Sequence, residues 1–419
     1  MGKTMDYRNG KWVDQILSQR QEDGLWGNFH TLSCPVPGRN YTTEQAIRRL
    51  YYLGYTAEDE VIQPVLKRME QCIKGELDID SYSEKKHDWV FFEKLMLAAW
   101  LRIFEPQNEI ALEVAYQWAQ IVEKAFAGGS YSVADDIAAF TEWKGRKPKS
   151  GFETGFGMFY HAALLPGVLS HKTEDLFLDY YLSKPDGMYY IYDKPLNQLP
   201  ETFASRKSSC YIAAIEVFSR YDLAKEKLTF VMDWLNANRN ENGQWDFGEK
   251  AKDGVYFPLS DRWDKTTRIA DSTYRISKLF GLPCYCGHDC SKCVTYIATQ
   301  TNNDDLRRQA QSFYKETFGF DIPLEKFYCD GGRSKNVFEL CMECPFKKCC
   351  IERGIDACGQ CSEYPCKEIS DYQEKYVNRS NQLENKAKSI TVPDGMSIVH
   401  QNKFNKLEYQ HYIDKPYFA

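Results

Sequence analysis

The chain has 419 residues, of which 43% are hydrophobic and 27% charged; this is typical of a globular protein of two or three domains and excludes a disordered chain. Its formal net charge of −6 gives no general attraction to nucleic acid or to anionic membranes. The opening residues MGKTMDYRNGKWVDQ predict no signal peptide, and no apolar run is long enough to predict a membrane span. We therefore expect a cytoplasmic protein.

Residues 1–282 predict a mainly α domain of roughly ten to twelve helices. The stretch DWVFFEKLMLAAWLRIF, from Asp88, is apolar around most of its helical circumference, which indicates a buried helix. TTEQAIRRLYYLG begins with a threonine cap followed by Glu44 and stops at Gly54. GMYYIY, at 187–192, predicts a short strand or an aromatic loop.

Two stretches of this half repeat one pattern. QILSQRQEDGLWGNF, from Gln15, aligns with WLNANRNENGQWDFG, from Trp234. Each has a helix, a polar turn, a glycine, one further residue and a tryptophan, and a second helix follows. A single helix pair cannot bury its own apolar face, so copies near both ends of the half predict a closed ring of pairs.

The QEDGLWG turn and the amphipathic helix after it resemble the repeats of the α/α-toroid proteins, namely terpene cyclases and the β subunits of protein prenyltransferases. The resemblance implies an α/α-toroid-like fold for this half. It does not carry over a reaction, because the catalytic motifs are not matched. DIDS, Asp78–Ser81, lacks the last aspartate of the cyclase Asp-x-Asp-Asp motif, and SSCY around Cys210 lacks the aspartate of the prenyltransferase zinc site.

A ring of helices leaves a central cavity, and the aromatic content of 15% predicts an apolar or aromatic small-molecule ligand there. Asp135 and Asp136 are a candidate catalytic acid–base pair, with a charged helix start as the alternative. Asp261, Arg268 and Asp271 are further catalytic candidates. They lie in a loop insertion of about eight residues between paired helices, where binding residues gather; a surface ion-pair network is the alternative.

Cysteines concentrate in a second predicted domain, residues 283–370. Twelve of the 15 cysteines lie between Cys284 and Cys366. In a reducing compartment such clusters are metal ligands more often than disulfides, so the pattern predicts a small metal-stapled domain. Residues 371–419 are predicted to form a tail that packs on a domain surface.

The predicted metal ligands form three triplets and one further cysteine. The second triplet recurs as the third with the same spacing, 17 positions later. In chain order the ligands are Cys286, Cys290, Cys293, Cys329, Cys341, Cys344, Cys349, Cys358, Cys361 and Cys366. Each triplet is one thiolate short of the S4 geometry of structural zinc, and Cys329 is the candidate to complete one. Cys284 and Cys350 are left over.

Zinc is the favoured cofactor, an iron–sulfur cluster is the alternative, and redox or catalytic thiols are a third interpretation. Cys286-x3-Cys290-x2-Cys293 is also the spacing of radical S-adenosylmethionine enzymes, but Lys292 stands where those enzymes usually carry an aromatic residue, and too little chain follows for their barrel. The ferredoxin spacing is absent. The segment from Cys341 to Asp371 contains four basic and six acidic residues, and this negative balance argues against binding to nucleic acid.

The pieces CGHDCSKCVTYIAT, FYCDG, CMECPFKKC, IERGIDACGQC and EYPC resemble the DUF3795 family over residues 286–369. This cysteine-rich bacterial and archaeal family is thought to bind zinc, so the resemblance implies zinc binding without a known reaction. The family usually has a second cysteine in the CDGC piece. Here Gly332 takes that place, so the resemblance implies that Cys329 lacks one partner.

The combined prediction is a cytoplasmic zinc-binding protein whose helical cavity holds an apolar or aromatic small molecule, as an enzyme of unknown reaction. Two alternatives stay open at this point. One is a protein-interaction scaffold, in which the zinc module binds a partner chain. The other is an iron–sulfur redox protein.

Overall fold

The computed structural model is described for the following residues: 7–33, 35–79, 89–149, 153–240, 244–280, 284–285, 290, 293–300, 303–334, 336–355, 358, 361, 363 and 366–371. Cys286 and residues 372–419 of the predicted tail lie outside them. The described part of the chain is mainly helical, as the sequence predicts. It contains no strand, only isolated bridges that pair Met158 with Tyr189 and Met188 with Tyr192.

The chain divides into two compact units. The helical unit comprises Tyr7–Val231 and Asp246–Asp271. The C-terminal unit comprises Met1–Asp6, Met232–Trp245 and Ser272–Ala419. The sequence predicts a boundary near residue 283, whereas this division groups Met232–Trp245, which contains the second tryptophan repeat, with the cysteine-rich segment.

The helices are described in chain order. Those wholly within the described part of the helical unit are α1 (Lys11–Leu17), α2 (Thr43–Tyr52), α3 (Gln63–Lys74), α4 (Trp89–Phe104), α5 (Glu109–Ala125), α6 (Val133–Lys144), α7 (Phe159–Leu164), α8 (His171–Ser183), α9 (Arg206–Phe218) and α10 (Ala224–Lys227). Two helices run from one unit into the other, α11 (Thr229–Ala237) and α12 (Lys265–Phe280). The C-terminal unit continues with α13 (Val294–Gln300), α14 (Asp304–Phe318), α15 (Glu339–Met342) and α16 (Pro345–Arg353).

Side-chain caps fix several of these helix ends. Thr42 starts α2 in a capping box with Gln45, in which each side chain bonds the backbone N–H of the other. Asn108 is the N-cap of α5, and its side chain accepts a hydrogen bond from the backbone N–H of Ala111 in the first turn of the helix. Gly75 and Gly145 end α3 and α6 at φ 77° and 67°, in the left-handed region that favours glycine.

Helix α4 lies at the centre of the helical unit and packs against α3, α5 and α7. Its residues from Leu95 to Arg102 are all buried, as the apolar circumference of the sequence predicts. Over the described residues, no helix combines the length and the apolar character that crossing a membrane requires.

The tryptophans of the two sequence repeats make equivalent hydrogen bonds. Trp26 Nε1 donates to the Ile16 carbonyl at 2.7 Å, and Trp245 Nε1 donates to the Leu235 carbonyl at 2.7 Å. The backbone N–H of each tryptophan donates to a threonine hydroxyl in the next helix: Trp26 to Thr43 at 3.0 Å and Trp245 to Thr273 at 3.1 Å. The indole therefore closes the same turn in both copies, because it ties the turn to the end of the preceding helix.

A buried carboxylate links several elements of the helical unit. Glu44, in the first turn of α2, has no exposed surface. Its oxygens accept hydrogen bonds from Arg48 Nη2 (3.0 Å), Trp100 Nε1 (2.9 Å), Tyr160 OH (2.8 Å), Tyr190 OH (2.6 Å) and the Thr31 N–H (2.6 Å). The donors come from α2, α4, α7 and two loops, so this single side chain fixes their mutual positions.

The same partners keep Glu44 ionised. Burial favours the neutral acid, but Arg48, His30 and the hydrogen bonds outweigh it and hold the pKa of Glu44 below its ordinary value of 4.5. Arg48 is itself buried at 6% exposure and stacks over the rings of Trp100 and Tyr190 at 5.5 and 5.1 Å. Each charge therefore makes the burial of the other tolerable.

We expect Glu44→Gln to lower the free energy of unfolding by about 3–5 kcal/mol, because the change leaves the Arg48 charge buried without a counter-ion. Glu142→Gln is the matched control. Glu142 pairs with Lys124 at 2.6 Å but is 71% exposed, so its loss costs less than about 1 kcal/mol. Urea unfolding measures both, and a Glu44→Gln chain as stable as the control would contradict the role of Glu44.

The stability conferred by Glu44 also depends on pH in a defined direction. Because its folded pKa lies below its unfolded value, the contribution is complete above about pH 4.5 and is lost as the pH falls through the folded pKa. Unfolding midpoints measured from pH 6 downward will therefore fall more steeply in the wild-type chain than in Glu44→Gln.

Candidate metal centres and cavity

The first thiol group contains six cysteines of the C-terminal unit. Its members are Cys284, Cys290, Cys293, Cys329, Cys341 and Cys344. Each member lies close enough to another for their charges to interact, so that the pKa of at least one thiol in the pair is shifted. A hydrogen bond with Cys284 and burial raise the pKa of the Cys290 thiol well above its ordinary value, and Cys329 adds to the rise. Burial raises the pKa of Cys329 to about 12, helped by Cys293 and Cys341.

The second thiol group contains Cys349, Cys350, Cys358, Cys361 and Cys366. The sulfurs of Cys350 and Cys358 lie 3.7 Å apart. Burial raises the pKa of Cys358, and its neighbours Cys350, Cys349 and Cys366 raise it further. Arg353 Nη1 donates to Cys361 Sγ at 3.3 Å, which places a positive charge beside this group.

Short helices and turns position these thiols. Helix α16 starts at Pro345, a favourable first helical residue, and carries Cys349 and Cys350. Cys344 is its N-cap residue, and the backbone N–H of Cys329 is fixed by a bond to Thr299 Oγ1 at 2.9 Å. The thiols therefore lie on short helices and in the turns beside them, where several can approach one point.

The apolar core around the second thiol group is small. Its buried members are Phe346, Cys350, Cys358 and Ile369, so half of them are cysteines. The first thiol group borders a larger core built around α13 and α14, which contains Phe313, Tyr314 and Phe338. A core of four side chains gives little hydrophobic stabilisation, which is the usual setting for a structural metal.

The donor chemistry of the thiols and the distance within one pair fit zinc. Two sulfurs bound to one tetrahedral zinc ion, each about 2.3 Å from it, lie about 3.8 Å apart. The 3.7 Å between Cys350 and Cys358 agrees with this separation. The raised pKa values disfavour thiolates next to one another, and a bound dication reverses that effect because it stabilises the thiolate. Among the described residues, no three His, Cys, Asp or Glu side chains are spaced to enclose an ion.

The grouping in space differs from the grouping in sequence. The repeated spacing assigns Cys349 to one triplet with Cys341 and Cys344, and this triplet stays a prediction; in the structure Cys349 lies close enough to Cys350 and Cys358 to raise the pKa of each. Cys284 and Cys350, left over by the spacing, lie within the two groups. None of the described cysteines forms a disulfide.

The two candidate aspartates of α6 lie in different environments. Asp135 is exposed, and its backbone N–H donates to the Ser132 cap. Asp136 is fully buried, and its Oδ2 accepts hydrogen bonds from Tyr131 OH at 2.7 Å and the Gly155 N–H at 2.8 Å. Burial raises the pKa of Asp136. These contacts hold the loop before α7 against the start of α6, and the catalytic role of the pair stays a prediction.

Of the three candidates predicted in the loop insertion, only Asp261 lies in a loop; Arg268 and Asp271 lie on α12, and all three make contacts within the helical unit. Asp261 accepts the Lys11 N–H at 2.8 Å, at the first residue of α1. Arg268 forms a two-point ion pair with Asp246 at 3.1 and 3.0 Å. Asp271 is fully buried and accepts the Leu259 and Ser260 N–H groups at 2.8 and 2.9 Å, and burial raises its pKa. The Arg268–Asp246 pair agrees with an ion-pair interpretation at that position, and the catalytic role of the three residues stays a prediction.

A cavity of ≈ 50 Å³ lies in the helical unit beside the Glu44 network. Its walls are mainly apolar and aromatic, from residues that include Trp100, Phe159, Ile191 and Val217. Its polar lining residues are Arg48, Glu216 and Arg220. No sequence pattern pointed to these three, because Arg48 lies on α2, Glu216 on α9 and Arg220 two residues after the end of α9, and no spacing connects them.

Two of the polar lining groups are held by their own neighbours. Glu216 accepts a hydrogen bond from Tyr52 OH at 2.5 Å. Arg220 donates to the Ala163 carbonyl at 3.1 Å and also to the Arg102 carbonyl, and burial lowers the pKa of Arg220. Among its described contacts Arg220 has backbone oxygens and no carboxylate, so its charge is less compensated than that of Arg48.

Comparison with known proteins identifies one segment of the chain. No curated protein and no solved structure matches the chain significantly. Residues 282–371 match the model of DUF3795, which is described as a protein of unknown function. This range contains every described member of both thiol groups. The cysteine-rich segment, residues 282–371, is therefore a DUF3795 domain.

Proposed function

We propose that this is a cytoplasmic zinc-binding protein whose DUF3795 domain holds one zinc ion in each of two thiol groups. The observation that carries the proposal is the presence of two close pairs of buried sulfurs: Cys350 and Cys358 lie 3.7 Å apart, and Cys284 and Cys290 both lie within 3.3 Å of one point beside Gly332. Four thiolates complete the tetrahedral coordination of a structural zinc ion. Each ion would serve as a cross-link between short elements whose apolar core is small.

The energy of metal binding is large enough for this role. A structural zinc ion contributes on the order of 10 kcal/mol to folding, well above what four buried side chains around the second thiol group supply. The same thiolates would also suit an iron–sulfur cluster, which is the alternative. Metal identity therefore decides between a structural and a redox protein.

The full chain purified without oxygen is expected to contain two zinc ions and no iron, because each thiol group offers four or more sulfurs to one ion. Elemental analysis per mole of protein measures both metals. A coloured protein with iron and acid-labile sulfide would contradict zinc and support the redox alternative.

The two-site arrangement predicts how cysteine variants lose metal. Cys341→Ala and Cys349→Ala should each reduce the zinc content from two ions to one, and the double variant should retain none, because the two residues belong to different groups. If both belonged to one site, as their spacing in the sequence suggests, the double variant would still hold one ion. Cys210→Ala, on α9 of the helical unit, is the control and should keep two.

We further propose that the helical unit binds an apolar or aromatic small molecule in the cavity beside Glu44, within an α/α-toroid-like arrangement of helix pairs. The shared tryptophan bonds of the two repeats support the toroid, and the apolar walls with three polar groups support the ligand site. The cavity is smaller than the 150 Å³ or so that encloses benzene in an engineered protein. A ligand of that size therefore requires Tyr51, a 40% exposed wall residue, to move aside.

Benzoate, an aromatic ring with one negative charge, is a suitable probe because Arg48 and Arg220 line the cavity. It should raise the melting temperature of the wild-type helical unit within the full chain. Ala213→Leu fills the cavity from α9 and should abolish the shift, while uncharged benzyl alcohol should give a smaller one. Equal shifts in the wild type and in Ala213→Leu would contradict binding at this cavity and favour an interaction scaffold.

A further inference from the structure

We infer that Cys284 is a zinc ligand of the first thiol group, and that Gly332 is glycine because the Cys284 sulfur occupies the space of its missing side chain. The inference rests on the zinc binding proposed above and extends it to a residue that the cysteine spacing leaves out. Cys284 lies near the start of the domain, and the other members of the first thiol group follow it along the chain.

The first observation is steric. A Cβ atom at position 332 would lie 2.3 Å from Cys284 Sγ, and 3.3 Å from both Cys284 Cβ and Cys290 Sγ. Real Cβ atoms do not approach another heavy atom to 2.3 Å. Two sulfurs therefore lie within 3.3 Å of one point above the Gly332 backbone, which leaves no room for any side chain.

The backbone conformation does not explain this glycine. Gly331 has φ 99°, which favours glycine for conformational reasons, whereas Gly332 is not among the residues with positive φ. Any residue could adopt the conformation of Gly332. What excludes a side chain is the sulfur of Cys284.

The Gly332 peptide also faces the second sulfur. Its N–H donates to Cys290 Sγ at 3.3 Å, and a hydrogen bond of this kind stabilises a thiolate. Cys284 and Cys290 are 9% and 3% exposed, so little water reaches either sulfur. Two neighbouring buried thiols with a peptide N–H directed at one of them form part of a metal-thiolate site rather than a reactive surface thiol.

Cys284 has a simpler alternative role as a small apolar residue that fills space, since free cysteine is among the most buried residue types. The two roles predict different results for metal binding. A space-filling cysteine can be replaced by alanine with a loss of packing and no loss of zinc. A ligand cannot.

The experiment measures zinc per chain and the thiolate-to-cobalt charge-transfer absorbance after cobalt replacement, using the full chain. Cys284→Ala and Cys284→Ser should each lower the zinc content from two ions to one and weaken the cobalt band. Gly332→Ala should do the same, because its methyl group displaces the sulfur. Gly128→Ala is the matched control, since its added Cβ meets nothing within 4 Å, and it should retain two ions.

The double variant Cys284→Ala/Gly332→Cys tests the geometry directly. It removes the thiol at position 284 and introduces one at position 332, which faces the same space from the opposite side. The second zinc ion and the cobalt band should therefore return. The inference is overturned if Cys284→Ala keeps both ions or if the double variant regains none. A wild-type chain without zinc overturns the proposed function as well, whereas two ions in both wild type and Cys284→Ala overturn only the role of Cys284.

Discussion

The helical unit depends on keeping one carboxylate ionised in its interior. Glu44 is fully buried, yet Arg48, His30 and hydrogen bonds from neutral donors hold its pKa below the ordinary value. Because the donors belong to separate helices and loops, the unit cannot satisfy the charge without bringing those elements together. The cavity lies beside this network and shares Arg48 and Trp100 with it. Two residues of the cavity wall are thus positioned by their hydrogen bonds to the buried charge.

The sequence predicts the elements of the fold better than their long-range contacts. The buried α4, the Thr42 cap, the repeated tryptophan turn and the DUF3795 segment all follow from local patterns. Glu44 could not be found in this way, because a glutamate in the first turn of a helix ordinarily faces solvent and favours the helix dipole. Its inward direction depends on Trp100 and Tyr160, which lie 56 and 116 residues further along the chain.

The repeated cysteine spacing does not show which of its members lie on a helix. Cys344 is the N-cap of α16 and Cys349 lies five residues later on the same helix. Five residues at about 100° each rotate a side chain to a different face, about 140° away. The spacing that permits two ligands on one ion in a turn therefore separates them on a helix. Only the structure shows that this repeat of the spacing passes through a helix.

The tryptophan turns limit where the chain can change its length. In both copies ten residues separate the helix carbonyl from the indole that binds it. From the tryptophan to the threonine that accepts its backbone N–H, however, the first copy has 17 residues and the second has 28. The length difference between the copies thus lies entirely after the indole. The longer second loop adds surface to this protein without changing the distance along the chain that the indole bond spans.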